Sequence, residues 1–457
     1  MKEPRSNRRD FLKAAAGVAA GSAMVSRATG ADVASAAPTT SRSSRKFVIG
    51  MMGTGGRGTW LLTEELGKRP EVEIAYVCDP DSGRMNQAAA AVEKLTGRRP
   101  KTVGDFRRIL DDKAVNALFV ATPDHWHALG AITACQASKD VYLEKPASHT
   151  PWEGRKIVEA ARKYGRVVQW GAQTRSAPEL QRAIEFLRSG KIGEIHFARV
   201  LNMLDRPAVP PRPDGPVPEG VDYDMWLGPA PMRPFNPNHF HYTWHWFWEY
   251  SGGDIINQGV HQIDAGRALI GKDYPKAVSC VAHKLARRDA QETPDTQVAT
   301  WEFDDIMMTF ELTLWTPHMV KIPWAMRDTD AFPDWPFDAM KVEVHGTAGM
   351  MLFEIVGGGW QAWDPDHKEI ASCHGRHPHT PHINNFFDCI ETRKRPNGDI
   401  EEGHRSTLLC QIANIAHRVG NRRLEFDGKT ESFPNDPEAN KLLRRTYREP
   451  WVVPEKV

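Results

Sequence analysis

Apolar and polar positions alternate in two textures along this chain. From residue 46 to about 171, short unbroken apolar runs (46–52, 72–78, 115–121, 141–143 and 167–171) are separated by stretches with apolar residues at helical intervals. Unbroken runs of that length suit strands buried on both faces, and their alternation with helices defines a parallel, doubly wound sheet. Helices are expected over 60–66, 82–97, 105–112, 128–138 and 152–164. Beyond residue 172 the texture changes. A helix at 179–189 and a strand at 192–201 precede a proline-rich loop, 205–237, too long to serve packing alone. Period-two alternation then recurs over 277–283, 296–303, 306–313, 320–323, 342–345 and 350–354, which predicts a large, mainly antiparallel sheet with one buried face. Helices at 265–270, 382–393 and 404–419 and a polar tail, 422–457, complete the chain. The fold class is α/β, with a dinucleotide-type domain at 46–171 and an α/β domain with an open sheet at 172–457. A chain of 457 residues is long enough for two cores.

Residues 1–45 read differently. Asn7-Arg8-Arg9-Asp10-Phe11-Leu12-Lys13 precedes an Ala/Gly run over 14–25 that is too short to span a bilayer. It resembles a twin-arginine export signal followed by a linker, which predicts a periplasmic or otherwise exported protein handled by the twin-arginine machinery. No integral membrane segment is expected. The formal charge of +1 hides an asymmetry. Nine Lys/Arg face three acids within residues 1–46, so the body is mildly acidic and lacks the basic footprint of a nucleic-acid partner. Six scattered cysteines without a C-x-x-C pair read as buried small hydrophobes.

The candidate chemistry begins where the first apolar run ends. Gly53, Gly55 and Gly58 follow in G-x-G-x-x-G spacing, with Gly56 and Arg57 between them, and Asp79 closes the second run about 20 residues on. Gly53 permits the tight turn, Gly55 lets backbone approach a diphosphate, and Gly58 lets the helix pack on the sheet. Asp79 can accept from ribose hydroxyls and would repel an extra phosphate, so the expected cofactor is NAD, with Arg84 the one residue favouring NADP. The loop after 115–121 carries Thr122, Pro123, Trp126 and His127, and the end of 141–143 carries Glu144-Lys145-Pro146. Gln173 and Arg175 lie just past the last parallel strand. The segment 239–250, HFHYTWHWFWEY, offers His241, His245 and Trp246 to a sugar. Cys373, His374, His377, His379 and His382 are metal-ligating types, but Pro378 and Pro381 interrupt them and zinc spacing is absent. They read as a surface or interface loop, and no metal is expected.

Glu144-Lys145-Pro146 combined with Gly259-Val260-His261-Gln262-Ile263-Asp264 is specific. With these motifs the chain, from about Lys46 to Arg423, resembles the Gfo/Idh/MocA oxidoreductases of the glucose–fructose oxidoreductase and inositol dehydrogenase type. The resemblance implies Lys145 as the catalytic lysine and His261 as the substrate-side histidine. It also implies an open sheet that supports a homodimer or homotetramer. The family's frequent Asp four residues before that histidine is Asn257 here, which can orient but not relay a proton. Cofactor contacts are expected from Gly53, Gly55, Gly56, Arg57, Gly58, Asp79, Thr122, Pro123, His127, Glu144, Lys145 and Gln173. Substrate contacts are expected from Lys145, Arg175, His241, His245, Trp246, Asn257, His261 and Asp264, with His261 as acid/base and Lys145 sharing the proton. The expected activity is oxidation of a sugar or sugar-derivative hydroxyl with tightly retained NAD. Two alternatives stay open: a glycosidase working through a transient 3-keto sugar, and a non-catalytic saccharide-binding protein that keeps NAD.

Overall fold

Six parallel strands form the first sheet, in the order β3-β2-β1-β4-β5-β6: β1 (Phe47–Met52), β2 (Val72–Cys78), β3 (Lys101–Val103), β4 (Ala117–Val120), β5 (Asp140–Leu143) and β6 (Val168–Trp170). The computed structural model describes residues 46–457, and the leader expected over 1–45 lies outside the described residues. The unbroken apolar runs are strands because both faces are covered: β4 and β5 are buried at every position. Only β3 escapes the periodicity, being a three-residue, largely exposed edge. The strand order reverses between β1 and β4, and the crevice at their carboxyl ends is where open α/β sheets hold ligands. Gly53 fits there because of its backbone. At φ +90° a Cβ would lie 2.6 Å from the Ala121 carbonyl oxygen at the end of β4.

The second sheet has nine strands, in the order β14-β13-β12-β11-β7-β10-β9-β8-β15, the last being Leu424–Glu425. The long β7 (Ile195–Met203) lies near its centre. It pairs parallel with β10 (Met307–Thr313), while the other strand pairs of this sheet are antiparallel. β8 (Ala277–His283), β9 (Thr296–Glu302), β11 (Lys341–Gly346) and β12 (Gly349–Glu354) follow the predicted alternation closely. Residues 320–323 do not form the expected strand. Val320 makes an isolated bridge with Asp338, and Pro323, which has no N–H for a ladder, leads into a turn at Trp324–Met326. β13 (Trp360–Trp363) and β14 (Glu369–Cys373) were hidden by their shortness and by the glycines 357–359. The helix Val260–Ile270 lies on the buried face, with Gly266 so near that a Cβ would be 3.0 Å from Val200. On the opposite face Val281, Val298 and Met307 are exposed.

The carboxyl-terminal part also returns to the first sheet. Helix His379–Thr392 sets Phe386 and Phe387 against Phe119 and Phe387 against Phe47, and Arg393 forks onto Asp140 at 2.8 and 2.9 Å. Each buried phenyl ring contributes roughly 1.5–3 kcal/mol. Part of the first core therefore comes from residues more than 200 positions downstream of it. The tail packs rather than trails: Trp451 meets Trp126 at 5.0 Å, and Arg445 donates to Glu153 at 2.8 Å. No described helix is long and apolar enough to cross a membrane.

Candidate functional site

The carboxyl ends of β1, β2, β4 and β5 open into a cavity of about 650 Å³, closed on its far side by residues from 225–261, 321–356 and 378–379. Its nucleotide end is built largely from backbone. Gly55 precedes the helix Gly56–Trp60 and supplies no side-chain cap, so the first N–H groups of that helix remain for a ligand. A Cβ on Gly55 would meet only the Arg84 guanidinium, at 3.0 Å, so a side chain there would occupy ligand space. Gly58 has the packing role: its Cβ would fall 2.0 Å from the Gly53 carbonyl oxygen. Asp79 accepts from Thr54 N at 2.7 Å, Thr54 Oγ1 at 3.1 Å and Asp81 N at 3.0 Å. Burial raises its pKa against those bonds. The buried Thr122 Oγ1 beside Gly53 has no protein partner, as expected of a group reserved for a ligand. A glycine turn, an uncapped helix start, a carboxylate at the end of β2 and an orphaned hydroxyl fit a dinucleotide.

Glu144, at the end of β5, is bound to Arg57 at 2.7 Å rather than to its neighbour Lys145. Arg57 also donates to His379 Nε2 at 3.1 Å, and His379 Nδ1 lies 3.2 Å from His377 Nδ1 in a stacked pair. Thus His379 forms part of the cavity wall. Its signal was absent from the local sequence because its partner lies 322 residues away. His382 lies deeper, between Ser176 Oγ at 2.7 Å and the Trp170 carbonyl at 2.9 Å. Among the described residues no group of three or more His, Cys, Asp or Glu has metal-binding geometry. Gln173 reaches the cavity and donates to the Tyr142 hydroxyl at 3.1 Å.

At the opposite end Lys145 faces His261 across the cavity. Lys145 Nζ donates to the Asn257 carbonyl at 2.7 Å and to Asn257 Oδ1 at 2.9 Å. Asn257 Nδ2 in turn donates to Asp254 at 2.9 Å, and Arg206 and Asn202 hold that carboxylate, each at 3.0 Å. Burial lowers the Lys145 pKa, opposed by the charges of Asp124, Glu144 and Asp254. Asp124 is held by Ser251 Oγ at 2.5 Å, and burial pushes it up to about 7. His261 makes no protein hydrogen bond among the described residues. Burial, with Lys145 and Arg57 nearby, keeps it neutral. His245 also lines the cavity: its Nδ1–H donates to the Tyr242 carbonyl at 2.6 Å, leaving Nε2 to accept. His241 sits at the mouth, 3.2 Å from Asp81.

Besides Gly58, four expected contacts fall elsewhere. His127 is fully buried behind the cavity, its ring nitrogens 2.6 Å from the Pro146 carbonyl and 3.1 Å from that of Thr122. It positions both loops instead of framing a ribose. Trp246 is core, and the adjacent turn presents Trp244 to the cavity instead. Arg175 and Asp264 bind each other at 2.6–3.0 Å. Glu402 and Ser406 complete that buried network, and neither Arg175 nor Asp264 lines the cavity. Removing one member of such a network strands its partner's charge. Arg175→Met is therefore expected to lower the unfolding free energy by about 3–5 kcal/mol, read from the urea midpoint, with nucleotide content per folded molecule unchanged.

The fold and cavity define a nucleotide-dependent oxidoreductase. The family description "Oxidoreductase family, NAD-binding Rossmann fold" matches residues 47–172, and "Oxidoreductase family, C-terminal alpha/beta domain" matches 211–311 and 359–453. The chain belongs to the Gfo/Idh/MocA oxidoreductases. Among curated relatives, a glycosyl hydrolase family 109 protein of Stenotrophomonas maltophilia is 30% identical over 194 residues, covering 41% of this chain and 40% of that protein. The D-glucoside 3-dehydrogenase of Escherichia coli is 26% identical over 225 residues, covering 49% and 54%. The chain spans less than two thirds of the length of these relatives. Levoglucosan dehydrogenase, solved with NADH and levoglucosan, aligns over 83% of this chain and 99% of its own, with a TM-score of 0.61 at 17% identity, a likeness of fold.

Proposed function

We propose that the protein oxidises a hydroxyl-bearing carbon of a sugar or glycoside, with NAD held in the cavity and retained between turnovers. The observation that carries this reading is the pair of bonds from Lys145 to Asn257. A neutral amine has two N–H groups, and both would be committed to Asn257. With its lone pair uncommitted in a cavity that His261 also lines, neutral Lys145 can take the proton of a substrate hydroxyl. Its ammonium form carries a third N–H that can return it. His261 and His245, neutral and with free ring nitrogens, can position sugar hydroxyls, while Trp244 offers a face to the ring carbons. The dinucleotide, when bound, supplies the hydride acceptor. This reverses the preference drawn from the sequence. Among the described residues no carboxylate supports His261 as a base, because position 257 holds an amide bound to Lys145 and Asp264 is committed to Arg175.

The proton assignment has a pH signature. Oxidation needs the neutral amine, so its rate rises with pH through the depressed Lys145 pKa and levels above it, falling as the amine is protonated. The rate–pH profile of NAD reduction by a sugar panel should level off below the ordinary lysine range. A rate still climbing through that range would contradict Lys145 as the base. A second reading, redox-assisted glycoside cleavage, is favoured by the likeness to the glycosyl hydrolase family 109 protein. It predicts aglycone release with only transient NADH, where a dehydrogenase accumulates keto-sugar. Binding of saccharide without any hydride exchange would instead mark a non-catalytic protein. The same proposal includes export by the twin-arginine route, read from Arg8-Arg9, which suits an enzyme that keeps its cofactor. It also includes assembly as a homodimer or homotetramer through the face bearing Val281, Val298 and Met307.

A further inference from the structure

The reactive end of the cavity carries surplus positive charge. Lys321 and Arg327, from the loop between β10 and β11, line the same cavity as Lys145 and His261. Lys321 Nζ has one long polar contact, 3.4 Å to Gln258 Oε1. Arg327 donates Nε to the Ile322 carbonyl of its own loop at 3.4 Å and lies 4.8 Å over the exposed Trp324 ring. Neither makes an ion pair among the described residues. Around Lys321 stand the cations Arg206, Arg327 and Lys145 and one acid, Asp254, whose oxygens already serve Arg206, Asn202 and Asn257. Burial and these cations lower Lys321 to about 8.

Glu354, the acid whose charge acts on Arg327, is a weak counter-charge. Glu354 is buried beside Asp338 and accepts from Val356 N at 2.5 Å and Gly358 N at 3.1 Å. Burial and the Asp338 charge raise its pKa, which favours its uncharged form and weakens it as a counter-charge. The carboxylates that line the cavity are committed, Asp79 to the Thr54–Asp81 turn and Glu144 to Arg57. Two desolvated cations without a counter-charge are costly in the free protein, and a ligand anion between them removes that cost.

We propose that the substrate is an anionic sugar, whose carboxylate or ester phosphate is seated between Lys321 and Arg327. A planar guanidinium and a compact ammonium together suit an oxyanion better than a hydroxyl. The inference rests on the sugar-oxidation reading and specifies its substrate class.

The test is calorimetric binding of matched ligands to the purified holoprotein: hexoses, the corresponding hexuronates and the hexose 6-phosphates, in the gluco, galacto and manno series. At least one anionic ligand should bind about tenfold or more tighter than its neutral match, and added salt should shrink the difference. Lys321→Gln and Lys321→Gln/Arg327→Gln should bring the ratio toward one, with Arg327→Lys retaining part of it. Whether uronate or phosphate gains more identifies the group recognised. Neutral sugars binding as tightly as both anionic forms, no anionic sugar binding, or a preference that survives the double substitution would overturn the proposal. Heat reports binding without turnover. Tight anion binding with no hydride exchange would therefore refute the sugar-oxidation reading alone, whereas NAD reduction by neutral sugars with anions ignored would refute this inference alone.

Discussion

Lys145→Met is expected to keep its nucleotide and lose roughly two to four orders of magnitude in kcat, the range a positioned acid/base supplies. Methionine preserves the stem of the side chain, so the loop of Glu144-Lys145-Pro146 can keep its course between β5 and the cavity. The proton acceptor is gone. The carbonyl and Oδ1 of Asn257 also lose their donor, at a cost of about 1–3 kcal/mol in stability. Lys145→Arg separates proton transfer from charge. A guanidinium can bridge to Asn257 but stays protonated, so its kcat should fall nearly as far as that of the methionine variant. Single-turnover hydride transfer, with nucleotide counted after denaturation, checks both. Near-normal turnover in Lys145→Arg would mean that positive charge, not a lone pair, is what the reaction takes from this residue.

Gly58→Ala is expected to have the largest effect on cofactor content. Its new methyl group would lie 2.0 Å from the Gly53 carbonyl oxygen, a backbone atom that cannot swing aside as a side-chain tip can. Helix Gly56–Trp60 and the turn at Gly53 must separate, which displaces the N–H groups that face the diphosphate. Overpacking of this kind costs about 1–3 kcal/mol in stability, and the loss of a preformed nucleotide seat is added to it. The purified variant should contain little nucleotide and show a lower thermal midpoint that added NAD only partly restores. Full occupancy in Gly58→Ala would contradict the close approach of helix and turn.

Much of this architecture was legible because the two textures of the sequence reflect two kinds of burial. The runs at β1, β4 and β5 are covered on both sides and lack polar alternation, and β2 is buried over its last three residues. Strands β8 to β10 have one buried face and display it. Gly53, Gly55, Asp79, Lys145, Asn257 and His261 were legible because local geometry or a motif fixes them, and all six line the cavity. What stayed hidden depends on distant partners. Arg175 and Asp264 are both polar and near motif residues, yet each satisfies the other in a buried network spanning residues 175–406. His127 carries an imidazole suited to a ribose, but two backbone carbonyls claim its ring. Lys321 and Arg327 reach the cavity from the loop between β10 and β11 and His379 from the first turn of its helix, and no spacing rule marks them.

The measurement closest to the central claim is isotope transfer inside the intact holoprotein. The protein is incubated with sugars carrying deuterium at the ring carbons, then denatured, and the released nucleotide is weighed by mass spectrometry. Hydride passing from a sugar carbon beside Lys145 predicts deuterium on the nicotinamide for at least one member of the panel, and its loss in Lys145→Met. A folded protein that releases no nicotinamide nucleotide, or whose nucleotide stays unlabelled with every sugar offered, would contradict the account.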